Sequence, residues 1–179
     1  MNRKRVATIW CEGCSGCHMS FLDMDERLVD LIKKGMELSA SPLTDLKVPP
    51  FETDIGIIEG SVATDTQEEE VKIMRERCKI IIAIGDCAVF GGIPTMRNKF
   101  KLQELYNRVY NEAETNQNKE IPNEEISKLL EKVKPVNEVI DVDYYIPGCP
   151  PTPDAIYEVL SKLLEGKEPE LKGKLLSYE

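Results

Sequence analysis

Apolar residues fall along this chain in short runs separated by turn-forming or polar stretches, and their period changes from run to run. Val6-Ala7-Thr8-Ile9-Trp10, preceded by the basic Arg3-Lys4-Arg5, predicts a buried first strand. Phe21, Leu22, Leu28, Leu31 and Ile32 then recur at helical spacing, with Gly35 as a stop. Leu43 to Phe51, with Pro42, Pro49 and Pro50, reads as a connection of little regular structure. Ile55-Gly56-Ile57-Ile58 has the length and branching of a second buried strand. After it, the acidic Glu68-Glu69-Glu70 suits the positive end of a helix dipole. Lys79 to Ile84 is the most apolar segment and predicts a central strand.

From Lys99 the pattern changes. Phe100, Leu102, Leu105, Tyr106, Val109 and Tyr110 predict an amphipathic helix, followed by an almost wholly polar run from Asn111 to Glu120. Ile126, Leu129, Leu130 and Val133 predict another helix, with Asn123 as cap and Pro135 as terminator. Residues 99–136 are thus expected to form a solvated helical excursion beside the sheet. Val139 to Ile146 gives a last strand. Thr152 as N-cap, Pro153 at the first helical position, and Ile156, Val159, Leu160, Leu163 and Leu164 on one face predict a closing helix that stops near Gly166. Strands alternating with helices predict a single α/β domain on a parallel sheet, where sites form at the carboxyl ends of strands.

Composition narrows the chemistry. The chain has 179 residues, 41% of them hydrophobic, which suits one domain with a sizeable core. Its net charge of -9 argues against a nucleic-acid partner, whose phosphates need a basic footprint. No apolar run approaches the roughly 18 residues of a membrane span, and the apolar segment before Cys11 is too short for a signal-peptide core. The cytoplasm is the expected location, where thiols stay reduced. Six cysteines there favour metal or redox chemistry over a disulfide framework, and the lone histidine argues against a His-rich metal site or a Ser–His–Asp hydrolase.

Three predicted strand ends carry cysteine among glycine or proline. They are Cys11-Glu12-Gly13-Cys14-Ser15-Gly16-Cys17, Gly85-Asp86-Cys87 running on to Gly91-Gly92-Ile93-Pro94, and Pro147-Gly148-Cys149-Pro150-Pro151. If those strands are parallel neighbours, the loops emerge on one edge and the cysteines converge. Cys14, Cys17, Cys87 and Cys149 then supply four thiolates, the number a [4Fe–4S] cluster needs. The glycines suit such a cluster, whose sulfides accept backbone N–H hydrogen bonds. A zinc site is the alternative, although zinc usually draws its ligands as two close pairs and Cys87 and Cys149 stand alone. A thioredoxin-like dithiol leaves those two unexplained. The ferredoxin run fits Cys11, Cys14 and Cys17 but meets Phe21 at its fourth position. Cys11 could replace Cys14 as a ligand or be a third thiol nearby. Cys78 reads as a small buried hydrophobe. His18 reads as structural or at a partner surface, and Glu59 as either a proton relay or a cap.

Taken together, Cys14-Ser15-Gly16-Cys17-His18-Met19-Ser20, Glu59-Gly60-Ser61, the Gly85–Pro94 loop and Pro147-Gly148-Cys149-Pro150-Pro151 resemble the small subunit of [NiFe] hydrogenases. The resemblance runs from the first strand to the last helix and is nearest to the short small subunits of soluble, NAD-linked (bidirectional) hydrogenases. It implies a flavodoxin-like fold with helices on both faces of the sheet, and one proximal [4Fe–4S] cluster on Cys14, Cys17, Cys87 and Cys149. Cys11 then stands outside the motif, and the lack of cysteine after Cys149 implies no further clusters.

The same resemblance implies a division of labour. The Ni–Fe centre would lie on a separate large subunit, and this chain would pass electrons to iron–sulfur and flavin (diaphorase) subunits that reduce NAD(P), with ferredoxin as a further acceptor in bifurcating assemblies. Some relatives hold FMN on this subunit. Here the cysteine loop occupies the turn that would grip a flavin phosphate, leaving Ser61–Thr66 as the other hydroxyl-rich loop. Two rivals stand beside this reading. The 20 kDa quinone-linked cluster subunit of complex I shares the fold and the Pro-Gly-Cys-Pro-Pro loop, but has adjacent cysteines where Ser15-Gly16 separate Cys14 from Cys17. A zinc-stabilised interaction module would have no redox role.

Overall fold

The computed structural model describes residues 3–176. Five parallel strands form the main sheet in the order β2-β1-β3-β5-β7: β1 (Lys4–Trp10), β2 (Met36–Ala40), β3 (Thr53–Glu59), β5 (Cys78–Ile84) and β7 (Tyr144–Ile146). A short strand between them in sequence, β4 (Val62–Thr64), leaves this sheet and pairs antiparallel with β6 (Leu129–Lys134). With that pair set aside, the order is the flavodoxin-like one, and it reverses between β1 and β3. That reversal opens a crevice at the carboxyl ends of the two strands.

The strands are apolar on both faces because both are covered. Val6, Ile55, Ile57, Ile82 and Ile84 pack with α1 (Gly16–Leu22), α2 (Glu26–Lys33) and α6 (Pro153–Leu164). Ala7, Ile9, Ile58, Ile81 and Ala83 pack on the opposite face with α3 (Asp65–Arg77) and α4 (Gly85–Phe90). Gly56 allows α3 to close on β3, since a Cβ there would lie 2.9 Å from Met74 Cε and from Cys78 Sγ. Helix α3 opens on a capping box: the Thr64 hydroxyl accepts from Gln67 N–H, and the Gln67 side chain accepts from Thr64 N–H. Thr152 caps α6 with Pro153 at its first position, as the sequence predicts. No helix among the described residues is long and apolar enough to cross a membrane.

Four expectations need correction. The helix predicted around Ile126 to Val133 is instead the strand β6. Its Leu129, Leu130 and Val133 fit either period, and tertiary pairing decides. The Asn98 side chain accepts from Val133 N–H and donates to its carbonyl at 2.8 and 2.9 Å. Arg97 Nη2 donates to the carbonyls of Ala63 and Leu130, so one guanidinium spans both strands of the pair. The excursion over 99–136 is therefore only partly helical: α5 (Leu102–Tyr106) runs into a π turn at Asn107–Asn111. The single helix from Phe21 to Ile32 is split, because Asp25 adopts φ 51 and Met24 turns into the core. The strand expected over Val139–Ile146 shrinks to β7, preceded by a 3-10 turn at Val136–Glu138.

Candidate metal centre

The crevice between β1 and β3 is where the cysteine loops meet. Leaving β1, Cys11 N–H donates to the Glu59 carbonyl at 2.7 Å, and Glu12 and Ser61 exchange backbone hydrogen bonds at 2.8 and 2.9 Å. The loop after β1 is thereby zipped to the loop after β3. Gly60 is required at this crossing, because its φ is +85 and a Cβ would sit 2.8 Å from Cys11 C. Ser15, also with positive φ, turns the chain into α1, so that Cys17 enters the first helical turn with its side chain buried.

The other two loops are clamped in the same way. Asp86 N–H donates to the Gly148 carbonyl, and Gly148 N–H donates back to Asp86 Oδ1, both at 2.8 Å. The Ser20 hydroxyl on α1 donates to the Pro151 carbonyl at 2.6 Å, tying the first loop to the third. The Cys149–Pro150 peptide is cis. Cys14, Cys17, Cys87 and Cys149 consequently line one pocket with Gly13, Gly16, Glu59, Asp86, Gly148 and Pro150.

Glycine stands beside three of these four sulfurs. A Cβ on Gly85 would collide with Cys17 Sγ, one on Gly92 would lie 2.7 Å from Cys87 Sγ, and one on Gly16 3.1 Å from Cys14 Sγ. Among the described residues, no three His, Cys, Asp or Glu side chains stand close enough together to grip a single ion. Burial, then the Glu59 charge and the other three thiols, hold the Cys17 pKa far above its ordinary value. Burial likewise raises that of Cys87, opposed by a hydrogen bond from Ile93 N–H. As thiolates, Cys17 and Cys87 would need a positively charged partner to offset the cost of their burial.

Two side chains that sequence alone left open now have defined contacts. Glu59, only 3% exposed, accepts from Cys17 N–H at 3.1 Å and His18 N–H at 2.9 Å. His18 Nδ1 pairs with the same carboxylate, His18 Nε2 meets the Thr8 hydroxyl at 3.0 Å, and the imidazole packs edge-on against Trp10. Burial alone would raise the Glu59 pKa, but the hydrogen bond and charge of His18 outweigh it, and the net direction is down. Cys11 is not part of the pocket. Its thiol packs toward the α3 face, where burial and the Glu70 charge push its pKa up to about 12. Cys78 is a buried core residue, as expected. The clamp between Asp86 and Gly148 escaped the sequence reading; the pairing of Gly-Asp-Cys with Pro-Gly-Cys was its one available signal.

Comparison with known proteins agrees with this fold. Residues 14–163 match the family described as NADH ubiquinone oxidoreductase, 20 Kd subunit. The NAD-reducing hydrogenase HoxS subunit delta of Cupriavidus necator is 42% identical over 98% of this chain and 85% of its own length. The chain belongs to the hydrogenase small-subunit family. A subunit of the F420-non-reducing vhu hydrogenase of Methanocaldococcus jannaschii is also 42% identical over 98% of the chain, which spans 61% of that relative. A crystal structure of an NAD+-reducing [NiFe]-hydrogenase in the H2-reduced state contains a chain that superposes with a TM-score of 0.94 at 39% identity, covering 99% of this chain and 100% of that one. The complex I rival is not favoured, since the relatives with this identity are hydrogenase subunits.

Proposed function

We propose that this hydrogenase small subunit is an electron carrier that holds one [4Fe–4S] cluster on Cys14, Cys17, Cys87 and Cys149. The observation that carries the reading is the convergence of these four thiols, from three separate strand-end loops, on one glycine-lined pocket. Zinc usually draws its ligands as two close pairs, whereas Cys87 and Cys149 come singly from separate loops. When bound, the cluster supplies one-electron redox chemistry at a potential set by its ligands and surroundings.

The chain's own residues supply the mount. Asp86, Gly148 and Ser20 fix the three loops relative to one another, and Gly16, Gly85 and Gly92 leave room for the sulfurs. Met19, Phe90, Ile93 and Met96, each close in sequence to a cluster cysteine, are more than half exposed. They would form an apolar rim suited to docking a large subunit that carries the Ni–Fe centre, which would also shield the pocket from solvent. Through a diaphorase module, the electrons would reach NAD(P) in the cytoplasm.

Anaerobic co-purification with the large subunit, followed by iron and sulfide analysis and EPR, tests the reading. Four iron atoms per chain and a reducible signal are expected, both lost in Cys87→Ser. A stoichiometric zinc ion, or a full iron signal in that variant, overturns it.

A further inference from the structure

Glu59 stands out as a buried carboxylate with no obvious need to be one. Helix α1 begins beside Ser15, a residue type that normally caps a helix through its own hydroxyl, yet Ser15 makes no side-chain cap. The N–H groups of Cys17 and His18 are instead satisfied by a carboxylate reaching across from the end of β3. A buried charge costs far more than a buried hydroxyl, and a neutral acceptor would satisfy the same donors. The carboxylate is held in place from behind by His18, which is itself anchored to the hydroxyl of Thr8 on β1. Glu59 therefore lines the cysteine pocket from a fixed position, with its carboxylate 3.1 Å from the Cys17 backbone nitrogen.

We infer that Glu59 sets the electron affinity of the cluster: its fixed negative charge, locked by His18 and Thr8, opposes the arrival of an electron and keeps the reduction potential low. The inference rests on the proposed cluster and adds a positioning residue to it. Charge and not shape sets the effect, so isosteric neutralisation and charge-conserving shortening give different results. With Glu59→Gln, the potential rises; at a fixed ambient potential the reduced-to-oxidised ratio increases about tenfold, equivalent to 59 mV for one electron. With Glu59→Asp the charge remains and the potential stays near that of the wild type.

The test is an EPR-monitored redox titration of the anaerobically purified complex with its large subunit, for the wild type and both variants, with iron counted in each. A higher potential in Glu59→Gln together with a near-native one in Glu59→Asp supports the inference. Loss of iron from the Gln variant alone overturns it, because Glu59 would then be needed to hold the cluster and not to set its potential. Equal potentials in all three proteins, a lower potential in Glu59→Gln, or loss of iron from both variants overturns it, the last because shape would then be what matters. Absence of a four-iron signal in the wild type would instead sink the proposed cluster, so the two failures are distinct.

Discussion

Gly85 has no room for a side chain because Cys17, on a different loop, presses its sulfur into the place a Cβ would occupy. The turn out of β5 and the first turn of α1 thus share one boundary. The φ of +84 at Gly85 independently disfavours any other residue.

Gly85→Ala should therefore displace Cys17 and weaken cluster binding about 10–100-fold, as changes in the support of metal ligands commonly do. Gly166→Ala is the control. It also has positive φ (+72), but nothing lies within 4 Å of its Cβ position, so it should carry only a backbone penalty of about 1 kcal/mol. Iron content after anaerobic reconstitution, beside urea denaturation, separates the two effects.

Alkaline pH should destabilise the fold through its buried thiols. Burial is the main cause raising the Cys78 pKa from 9.0 to about 11, and burial with Glu70 raises that of Cys11 to about 12. For groups whose folded pKa is raised, the stabilisation is fully present below pH 9 and is lost as pH climbs through the folded values. Cys78→Ala should flatten the decline of unfolding free energy between about pH 9 and 11, measured by urea titration at a series of pH values. An unchanged slope would refute the assignment.

The β4–β6 pair depends on two side chains from the 3-10 turn at Ile93–Lys99, distant in sequence from both strands. Arg97→Ala frees the carbonyls of Ala63 and Leu130, and Asn98→Ala breaks both hydrogen bonds to Val133. Each should cost about 1–3 kcal/mol and raise amide exchange in Val62–Thr64 and Leu129–Lys134, while β1, β3 and β5 keep their protection. Hydrogen-exchange mass spectrometry reads this directly.

A charge on the apolar rim should act on assembly alone. Ile93→Lys and Met19→Lys alter exposed side chains, so the subunit's own stability should shift by under about 0.5 kcal/mol. Recovery of the large subunit by pull-down should fall at least about tenfold.

The parts of the fold legible in sequence were those whose residues answer to one environment. The runs in β1, β3 and β5 are apolar throughout because helices cover both faces of the sheet, and a buried parallel strand leaves no other signature. Strand β2 was missed because Glu37 and Leu38 on this edge strand are exposed and break the run. Strand β6 was misread because Leu129, Leu130 and Val133 suit two periods, and the deciding partners, Arg97 and Asn98, lie in a distant loop. The thiols were legible because each follows a strand. The linkage of Glu59, His18 and Thr8 was not, since it joins three elements whose adjacency appears only in the folded sheet.

The clamp between Asp86 and Gly148 also bears on the order of events in the cell. The loop bearing Cys149 follows β7, which is made after β1, β3 and β5, and it is Gly148 beside that cysteine that locks onto the middle loop. A nascent chain lacking β7 would offer three of the four thiols on an unfastened mount, so the proposed cluster would be inserted only after β7 has joined the sheet.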